Sequence, residues 1–303
     1  MCLKRLIINV TLFLAVASGS ILTGCRSEKE PVDYVNPYIG NISHLLVPTY
    51  PTVHLPNSML RVYPKREDFT GNRLNGLPVV VSRHRGYSPF SIHPFQGGDA
   101  PEYIDYEYDN EKVTPYLYQV CLQNIGADVR FAPSHQSAIY EIQFGGDGTP
   151  QLVVKSNNGS LTVDGNAVSG YEQLGEYATK AYIYLEVDQP VVSQEVNTQG
   201  QSASASLKFA DNVKKLNVRY GISYIDEAQA KKNLMREIAS SDLDAVAEKG
   251  RQVWNEALGK IEVQGSSEED KTIFYTSFYR FYERMICMSE DGRYYSGFDG
   301  STQ

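Results

Sequence analysis

Alternating apolar and polar positions dominate the chain between residues 33 and 225. The segments QLVVKSN, GSLTVDG, KAYIYLEVD, SASASLKFA and KKLNVRYGISYI repeat with a period of two and are bounded by Gly, Asn, Asp or Pro. In the third segment Tyr182 and Tyr184 alternate with Ile183 and Leu185, so both of its faces are apolar, as in a strand at the middle of a sandwich. The pattern predicts a mainly β fold with a large two-sheet β-sandwich over 33–225.

The segment from 226 to 264 has helical spacing instead. Apolar residues recur three and four positions apart, and Ser240, Ser241 and Asp242 interrupt them with side chains that end one helix and cap the next. We therefore predict two linker helices here, followed by a short strand or turn at KIEVQG.

The last segment, 265–303, contains one strongly amphipathic pattern. Ser267 and Asp270 have the spacing of a loose capping box at the start of a helix. After them, large apolar residues recur three and four apart at Phe274, Phe278, Phe281, Tyr282 and Met285. We predict a helix whose aromatic face needs a partner, because four large exposed aromatic residues would promote aggregation.

The N-terminus has the organisation of a bacterial lipoprotein signal. Lys4 and Arg5 precede an apolar stretch, and small residues lead to Leu-Thr-Gly-Cys, which ends at Cys25. The sequence predicts a signal peptide over 1–24, a lipid on Cys25 and a short polar tether over 25–32. The mature protein would be exported and anchored by lipid to the outer membrane, on its periplasmic or outer face, without spanning it. An ordinary secretory signal with an incidental Cys is the alternative.

Charge and cysteine content exclude some classes of partner. The net charge is −8, and no Lys- and Arg-rich stripe with interleaved aromatic residues occurs, which argues against nucleic acid. Neither a CxxC nor an HExxH motif is found, so no zinc site is indicated. Cys121 and Cys287 are interpreted as two buried free thiols, with a disulfide as the alternative in an oxidising compartment. The 22 tyrosines suit strands, or a surface that contacts carbohydrate.

Several motifs in sequence order resemble one family of glycosidases. The runs ISYIDEAQAKKNLMREI, VWNEALGKIEVQG, DKTIFYTSFYRFYERM and DGRYYSGFDG are similar to the junction between sandwich and barrel in glycoside hydrolase family 92. VDYVNPYIGN is similar to the opening strand motif of that family. The resemblance implies a β-sandwich followed by an (α/α)6 barrel, of which this sequence contains only the first helix.

The resemblance also implies an activity. Members are inverting, exo-acting α-mannosidases that depend on calcium, and inversion needs two carboxyl groups about 6.5–9.5 Å apart. In the family these groups lie in the helical barrel, so the catalytic residues and most calcium ligands are expected outside this chain, which alone should be inactive. The expected partner is an α-mannoside-type glycan. A stand-alone carbohydrate-binding lipoprotein and a purely structural module are the alternatives.

The sequence departs from the family in the middle of the sandwich. A family PFGM segment corresponds to VHLPNSMLRVYP, which retains Pro56 and Met59. The family's glycine-rich loop resembles GYSPFSIHPFQGG, and the tryptophan usually found upstream of it is absent, since Trp254 in the linker is the chain's single Trp. The identity of the sugar therefore stays open.

Seven residues are candidates for sugar contacts from the sandwich side. Gly- and Pro-rich loops approach ligands closely, which favours the candidates in the glycine-rich loop, with a locally hydrogen-bonded loop histidine as the alternative for His93. The other candidates lie in turn motifs, where shaping the turn is the alternative role. The acidic run EYIDYEYDNE lacks the spacing of a calcium loop and is interpreted as a solvated strand edge. The candidates are His93, Gln96 and Asp99 in the glycine-rich loop, Asn36, Gly40 and Asn41 in VNPYIGN, and Asp299 in GFDG.

Overall fold

A computed structural model describes most of the chain after residue 27. The described ranges are 28–42, 49–66, 71–82, 88–99, 101, 104–175 and 179–303. The predicted signal peptide, Cys25 and the motif residues Gly86 and Tyr87 lie outside them. Among the described residues, no helix is long and apolar enough to cross a membrane.

Two antiparallel sheets form the sandwich, and their strands follow the predicted alternating segments. The described strands are β1 Val53–His54, β2 Arg61–Val62, β3 Arg73–Leu74, β4 Leu77–Pro78, β5 Phe90–Gln96, β6 Tyr106–Val113, β7 Tyr118–Leu122, β8 Ala127–Pro133, β9 Ser137–Phe144, β10 Pro150–Ser156, β11 Gly159–Asp164, β12 Ala167–Gln173, β13 Lys180–Val187, β14 Ser193–Gln199, β15 Ser202–Lys208, β16 Lys215–Ser223, β17 Tyr295–Ser296 and β18 Ser301–Thr302. One sheet has five strands in the order β14-β15-β10-β5-β4. The other has nine, in the order β11-β12-β13-β16-β9-β8-β7-β6-β3.

The period of two in each strand builds the core between the sheets. In β13, Ile183 and Leu185 are fully buried against the opposite sheet, whereas Tyr182 and Tyr184 face outward and are half-buried. Tyr184 packs against the cluster formed with the first linker helix, so both faces of this strand are covered. The mainly β two-sheet sandwich predicted from the pattern is confirmed.

Three helices follow the sandwich, and local capping signals set where each begins. Helix α1 spans Glu227–Glu237 and α2 spans Leu243–Leu258, with Asp226 and Asp242 as N-caps. Helix α3 spans Glu268–Phe281 and begins with a complete capping box between Ser267 and Asp270. The predicted break at Asp242 and the predicted capping box are confirmed. Helices α1 and α2 lie against strands of the nine-stranded sheet.

A glycine allows α1 to lie close to the sheet. A Cβ atom on Gly221 in β16 would stand 2.2 Å from the carbonyl oxygen of Ala230 in α1. Contact at this distance is sterically forbidden, so any larger residue at this position would push the helix away from the sheet.

The buried face of α3 differs from the predicted one. Tyr275, Thr276 and Tyr279 are buried, whereas Phe281 is 71% exposed, and Met285 lies beyond the end of the helix. Phe274, Phe278 and Phe281 lie on a face of the helix next to that of Tyr275 and Tyr279, so spacing alone could not identify the face that meets the sandwich.

The N-terminal motif is not the opening strand that the resemblance implied. Residues Pro31–Tyr34 form a short 3-10 helix, which Pro31 starts because its fixed φ angle suits the first helical position. Val32 is buried, and its backbone N–H donates to Oδ1 of Asn255 in α2 at 3.0 Å. The last residues of the predicted tether therefore pack on the helices.

The two cysteines of the folded part are not both buried. Both are free thiols; Cys121 is half-buried in β7 and Cys287 is exposed after α3. The expectation of buried thiols was wrong for Cys287, because the segment after α3 lies on the surface.

Candidate functional site

The sandwich and the helices meet at an aromatic cluster, which we call the junction and define by His54, Leu55, Trp254, Tyr275 and Tyr279. The indole Nε1–H of Trp254 donates to the His54 carbonyl oxygen at 2.7 Å. The ring of His54 lies 5.3 Å from that of Trp254 and 5.1 Å from that of Tyr279, between centroids. The hydroxyl of Tyr279 is 3.0 Å from Oγ1 of Thr52. These contacts fix α2 and α3 to the start of the sandwich.

His54 is buried in the junction in its neutral form. Its Nδ1 lies 2.9 Å from the Leu55 carbonyl oxygen, so Nδ1 carries the proton and donates it. Burial lowers the pKa of His54 to about 4, although Glu283 and this hydrogen bond act in the opposite direction. The sequence did not identify this histidine, because its partners in α2 and α3 are 200 or more positions away.

Of the candidates in VNPYIGN, Asn36 contacts the buried face of α3. The backbone N–H of Asn36 donates to Oγ1 of Thr276 in α3 at 3.0 Å, and its side-chain Oδ1 accepts from the Tyr38 N–H at 3.0 Å. Gly40 has a φ angle of +84°, which favours glycine. The Asn41 amide nitrogen faces the carbonyl oxygens of Thr49 and Pro37 at 2.8 and 3.1 Å. In this structure the three residues shape a turn; a role in sugar binding stays a prediction.

His93 lies in a strand, and the expectation of a flexible glycine-rich loop was wrong. It belongs to β5, on the face of the five-stranded sheet opposite the core, and is buried. Its Nε2 is 2.8 Å from the hydroxyl of Ser91, two residues before it on the same face. Burial lowers the pKa of His93 to about 3, and the nearby cations Lys155 and Lys65 contribute in the same direction. The alternating pattern continues through Pro94, which accounts for the strand.

Gln96 and Asp99 have different environments although they are three residues apart. The amide of Gln96 both donates to the Gly146 carbonyl oxygen at 3.1 Å and accepts from the Gly146 N–H at 3.0 Å. Asp99 lies at the edge of a surface cleft of about 420 Å³ and is 2.9 Å from Nζ of Lys208. The hydrogen bond and charge of Lys208 lower the pKa of Asp99. Of the loop candidates, Asp99 is placed where a ligand could reach it.

Asp299 closes a turn near the end of the chain. Its carboxylate accepts hydrogen bonds from the backbone N–H of Ser301 at 3.2 Å and its hydroxyl at 2.9 Å. Hydrogen bonds from Ser296 and Ser301 lower its pKa. The residue joins β17 to β18 and lies apart from Asp99, which belongs to the five-stranded sheet's side of the sandwich.

A buried carboxyl group that the sequence did not single out fixes the segment after α3. Glu290 accepts hydrogen bonds from the Tyr224 N–H at 2.9 Å and from Nδ2 of Asn233 in α1 at 2.8 Å. Burial raises its pKa. The next residue, Asp291, accepts from Nζ of Lys232 at 2.7 Å, and this contact contributes to a pKa of about 2. These bonds join the start of the final segment to α1 and to the sandwich.

The described residues do not fit a calcium site. Within the described ranges, no group of three or more His, Cys, Asp or Glu side chains is placed to hold a metal ion. From Tyr106 onward the acidic run lies in strand β6, where Glu107 and Asp109 are exposed and Glu111 is half-buried in an ion pair with Arg66 at 3.2 Å. The prediction of a solvated strand is confirmed for Glu107 and Asp109 and was wrong for Glu111.

A two-sheet sandwich followed by helices on the nine-stranded side is the architecture that the motif order implied, and comparison with protein families identifies it. Residues 34–223 match the glycosyl hydrolase family 92 N-terminal domain, and residues 229–303 match the glycosyl hydrolase family 92 catalytic domain. The chain belongs to glycosyl hydrolase family 92. The first match ends with β16, and the second begins in the first turn of α1.

Solved structures agree with this assignment. A family GH92 inverting mannosidase from Bacteroides thetaiotaomicron is 26% identical, with a TM-score of 0.79 over 91% of this chain and 43% of the relative. A second GH92 α-mannosidase from the same organism is 17% identical, with a TM-score of 0.78 over 91% and 44% of the two chains. The chain thus spans less than half the length of these relatives. A comparison with curated proteins finds no significant match.

Proposed function

We propose that this chain is the N-terminal part of a lipid-anchored exo-α-mannosidase that hydrolyses α-mannosides with inversion. The family matches over both domains and the similarity to an inverting mannosidase support this assignment. The general acid, the general base and the calcium ligands would come from helical sequence beyond residue 303. Within the chain, the sandwich and α1–α3 would supply the platform that holds this helical part.

One observation carries the proposal: α3 is fixed to the sandwich on one side and exposes large apolar residues on another. Ile273 is 59% exposed, Phe281 is 71% exposed, and Met285 just after the helix is 84% exposed. Several large apolar side chains exposed on one short segment indicate a surface that contacts another protein segment. Further helices of the catalytic domain would cover this surface.

The test uses the protein as it is isolated from the cells that produce it, which we call the native species. Antibodies against the purified chain would isolate it from cell membranes, and release of p-nitrophenol from p-nitrophenyl α-mannopyranoside would be followed with calcium and with EDTA. We expect hydrolysis that EDTA abolishes, and no hydrolysis by the purified 303-residue chain. If only the matching α-glucoside were hydrolysed, the proposal of mannose as the sugar would be contradicted. If the native species were inactive, the proposal that it is an enzyme would be contradicted.

The lipid anchor has its own test. Cells fed an alkyne-labelled fatty acid should incorporate label into the protein, and Cys25→Ser should abolish it. Cys2→Ser is the matched control, because it changes a cysteine inside the predicted signal peptide and should leave labelling intact. Label that survives Cys25→Ser would contradict lipidation at this residue.

A stand-alone glycan-binding lipoprotein is the second candidate. The polar cleft beside Asp99 favours it, since a binding protein needs such a site and no helical domain. This candidate would be supported if the native species had the size of this chain, bound glycans and did not hydrolyse them.

A further inference from the structure

The outer face of the five-stranded sheet has a cleft of about 420 Å³. Its floor is formed by the short side chains of Val153, Ser204 and Ser206, and longer side chains stand on either side. The volume lies within the range of about 300–1,000 Å³ that small-molecule sites occupy. We call this feature the sheet cleft.

Strand register fixes the position of each lining group. Ser206 of β15 is paired with Val153 of β10 on one side and with Glu195 of β14 on the other. The next outward-facing row contains Asn197, Ser204 and Lys155, in the same strand order. Serines occupy the central strand, and the longer side chains of Glu195 and Lys155 on the two neighbouring strands border the cleft. The intervening residues of β10 and β15 point into the core, whereas β14 at the edge of the sheet is exposed along its whole length.

The sheet cleft lies apart from the junction. Helices α1 and α2 lie against the nine-stranded sheet, and α3 packs on α2 and on the N-terminal 3-10 helix. The cleft belongs to the opposite sheet and faces away from the core.

The chemistry of the lining identifies the class of ligand. The cations Lys155 and Lys208 are balanced by the anions Glu195 and Asp99. Serine hydroxyls and amides supply further donors and acceptors, and the described lining contains no aromatic ring on which a base or a flat ligand could stack. A neutral molecule whose hydroxyl groups both donate and accept hydrogen bonds fits this set better than an anion or a cation.

We propose that the sheet cleft is a secondary binding site for one neutral hexose unit of a glycan, separate from any site of hydrolysis. The edge of the cleft is formed by the ion pair between Asp99 and Lys208, 2.9 Å apart, in which the Asp99 side chain is 98% exposed. Exposed ion pairs contribute little to stability, so both groups can turn to a sugar hydroxyl on binding. The site would hold a chain of sugars close to the enzyme.

The test measures binding by the purified chain with ligand-observed NMR. The probes are methyl α-mannopyranoside and methyl α-glucopyranoside as neutral hexosides, glucuronate as an anion, and glucosamine as a cation. We expect saturable binding of a neutral hexoside with a Kd on the order of 1 mM, and weaker binding of both charged probes. Tighter binding of glucuronate or glucosamine would overturn the proposed class of ligand.

Variants locate the binding. Ser206→Tyr would fill the floor with a ring and should abolish saturable binding. Ser169→Tyr is the matched control, because Ser169 is also a half-buried serine that faces outward from a strand, but in the nine-stranded sheet. It should bind the hexoside as the unchanged chain does. If Ser206→Tyr and Ser169→Tyr bound the hexoside equally well, the proposal that the sheet cleft is the binding site would be overturned.

A second variant covers the case in which Ser206→Tyr misfolds. Glu195→Gln combined with Asn197→Ala changes only β14, whose residues are all exposed, so the fold should be unaffected. We expect binding to weaken several-fold, and unchanged binding would contradict the proposal. If the native species hydrolyses α-mannosides while the chain binds no hexoside, this inference fails and the proposed function stands.

Discussion

The two faces of α3 consist of similar residues and have opposite environments. On the inner face, Tyr275 and Tyr279 are buried, and each hydroxyl has an oxygen partner in the sandwich or the α2–α3 connection. On the outer face, Ile273 and Phe281 are largely exposed and have no polar atom in the side chain. The inner face is suited to a surface rich in backbone carbonyls, and the outer face to an apolar partner. In the proposed function, the inner face holds α3 to the sandwich and the outer face contacts further helices.

The largest expected effect comes from truncating the inner face. Tyr279→Ala removes a fully buried ring from the contact with His54 and Trp254, and should lower the free energy of unfolding by about 3–5 kcal/mol. Urea denaturation of the purified chain measures this. A loss below about 1 kcal/mol would mean that α3 is not held by the junction.

The second effect is a dependence on pH. Between pH 6.5 and about pH 4 the unfolded chain binds a proton at His54 while the folded chain does not, so the free energy of unfolding falls as the pH falls, by up to about 3 kcal/mol. Glu283, Arg61 and Arg280 are the charged groups that act on this ring.

The variant His54→Gln should remove the contribution of His54 to the pH dependence of the free energy of unfolding. This contribution is about 1.4 kcal/mol per pH unit at most. His93→Gln is the matched comparison, since the pKa of His93 is also lowered by burial but this residue lies in the five-stranded sheet, outside the junction. An unchanged slope in His54→Gln would contradict a buried neutral histidine at the junction.

A smaller effect isolates one hydrogen bond of the inner face. Tyr275→Phe keeps the ring and removes the hydroxyl that donates to the Ile261 carbonyl oxygen at 3.1 Å. We expect a loss of about 1 kcal/mol in thermal or urea unfolding. An unchanged free energy of unfolding would show that water replaces this hydrogen bond without a loss of stability.

The smallest effect is expected on the outer face. Phe281→Ala removes a ring that is 71% exposed and should change the stability of the isolated chain by no more than about 0.5 kcal/mol. The same substitution in the native species should reduce hydrolysis of the α-mannoside. A large loss of stability in the isolated chain would mean that Phe281 packs within this part of the protein.

Local signals predicted much of the fold. The period of two marked the strands, and Asp242 and Ser267 marked helix starts, because a cap acts on backbone groups two or three residues away. His93 was misplaced because glycine and proline nearby resembled a loop, although Ser91 and His93 share one outward face of a strand.

Contacts between distant segments could not be predicted. The bond from Trp254 to His54 joins residues 200 positions apart, and Glu290 meets Asn233 across 57 positions. The sheet cleft depends on the register of three strands, which alternation alone does not give. Only Asp99 of the sequence candidates lies at that cleft.

The central claim is that further helices cover the outer face of α3, and oxidative footprinting tests it most directly. Hydroxyl radicals would be applied to the purified chain and to the native species, and oxidation of Phe281 and Met285 would be followed by mass spectrometry. We predict that both residues are oxidised much more slowly in the native species, while Tyr279 is protected in both. Equal oxidation of Phe281 and Met285 in the two samples would contradict the claim.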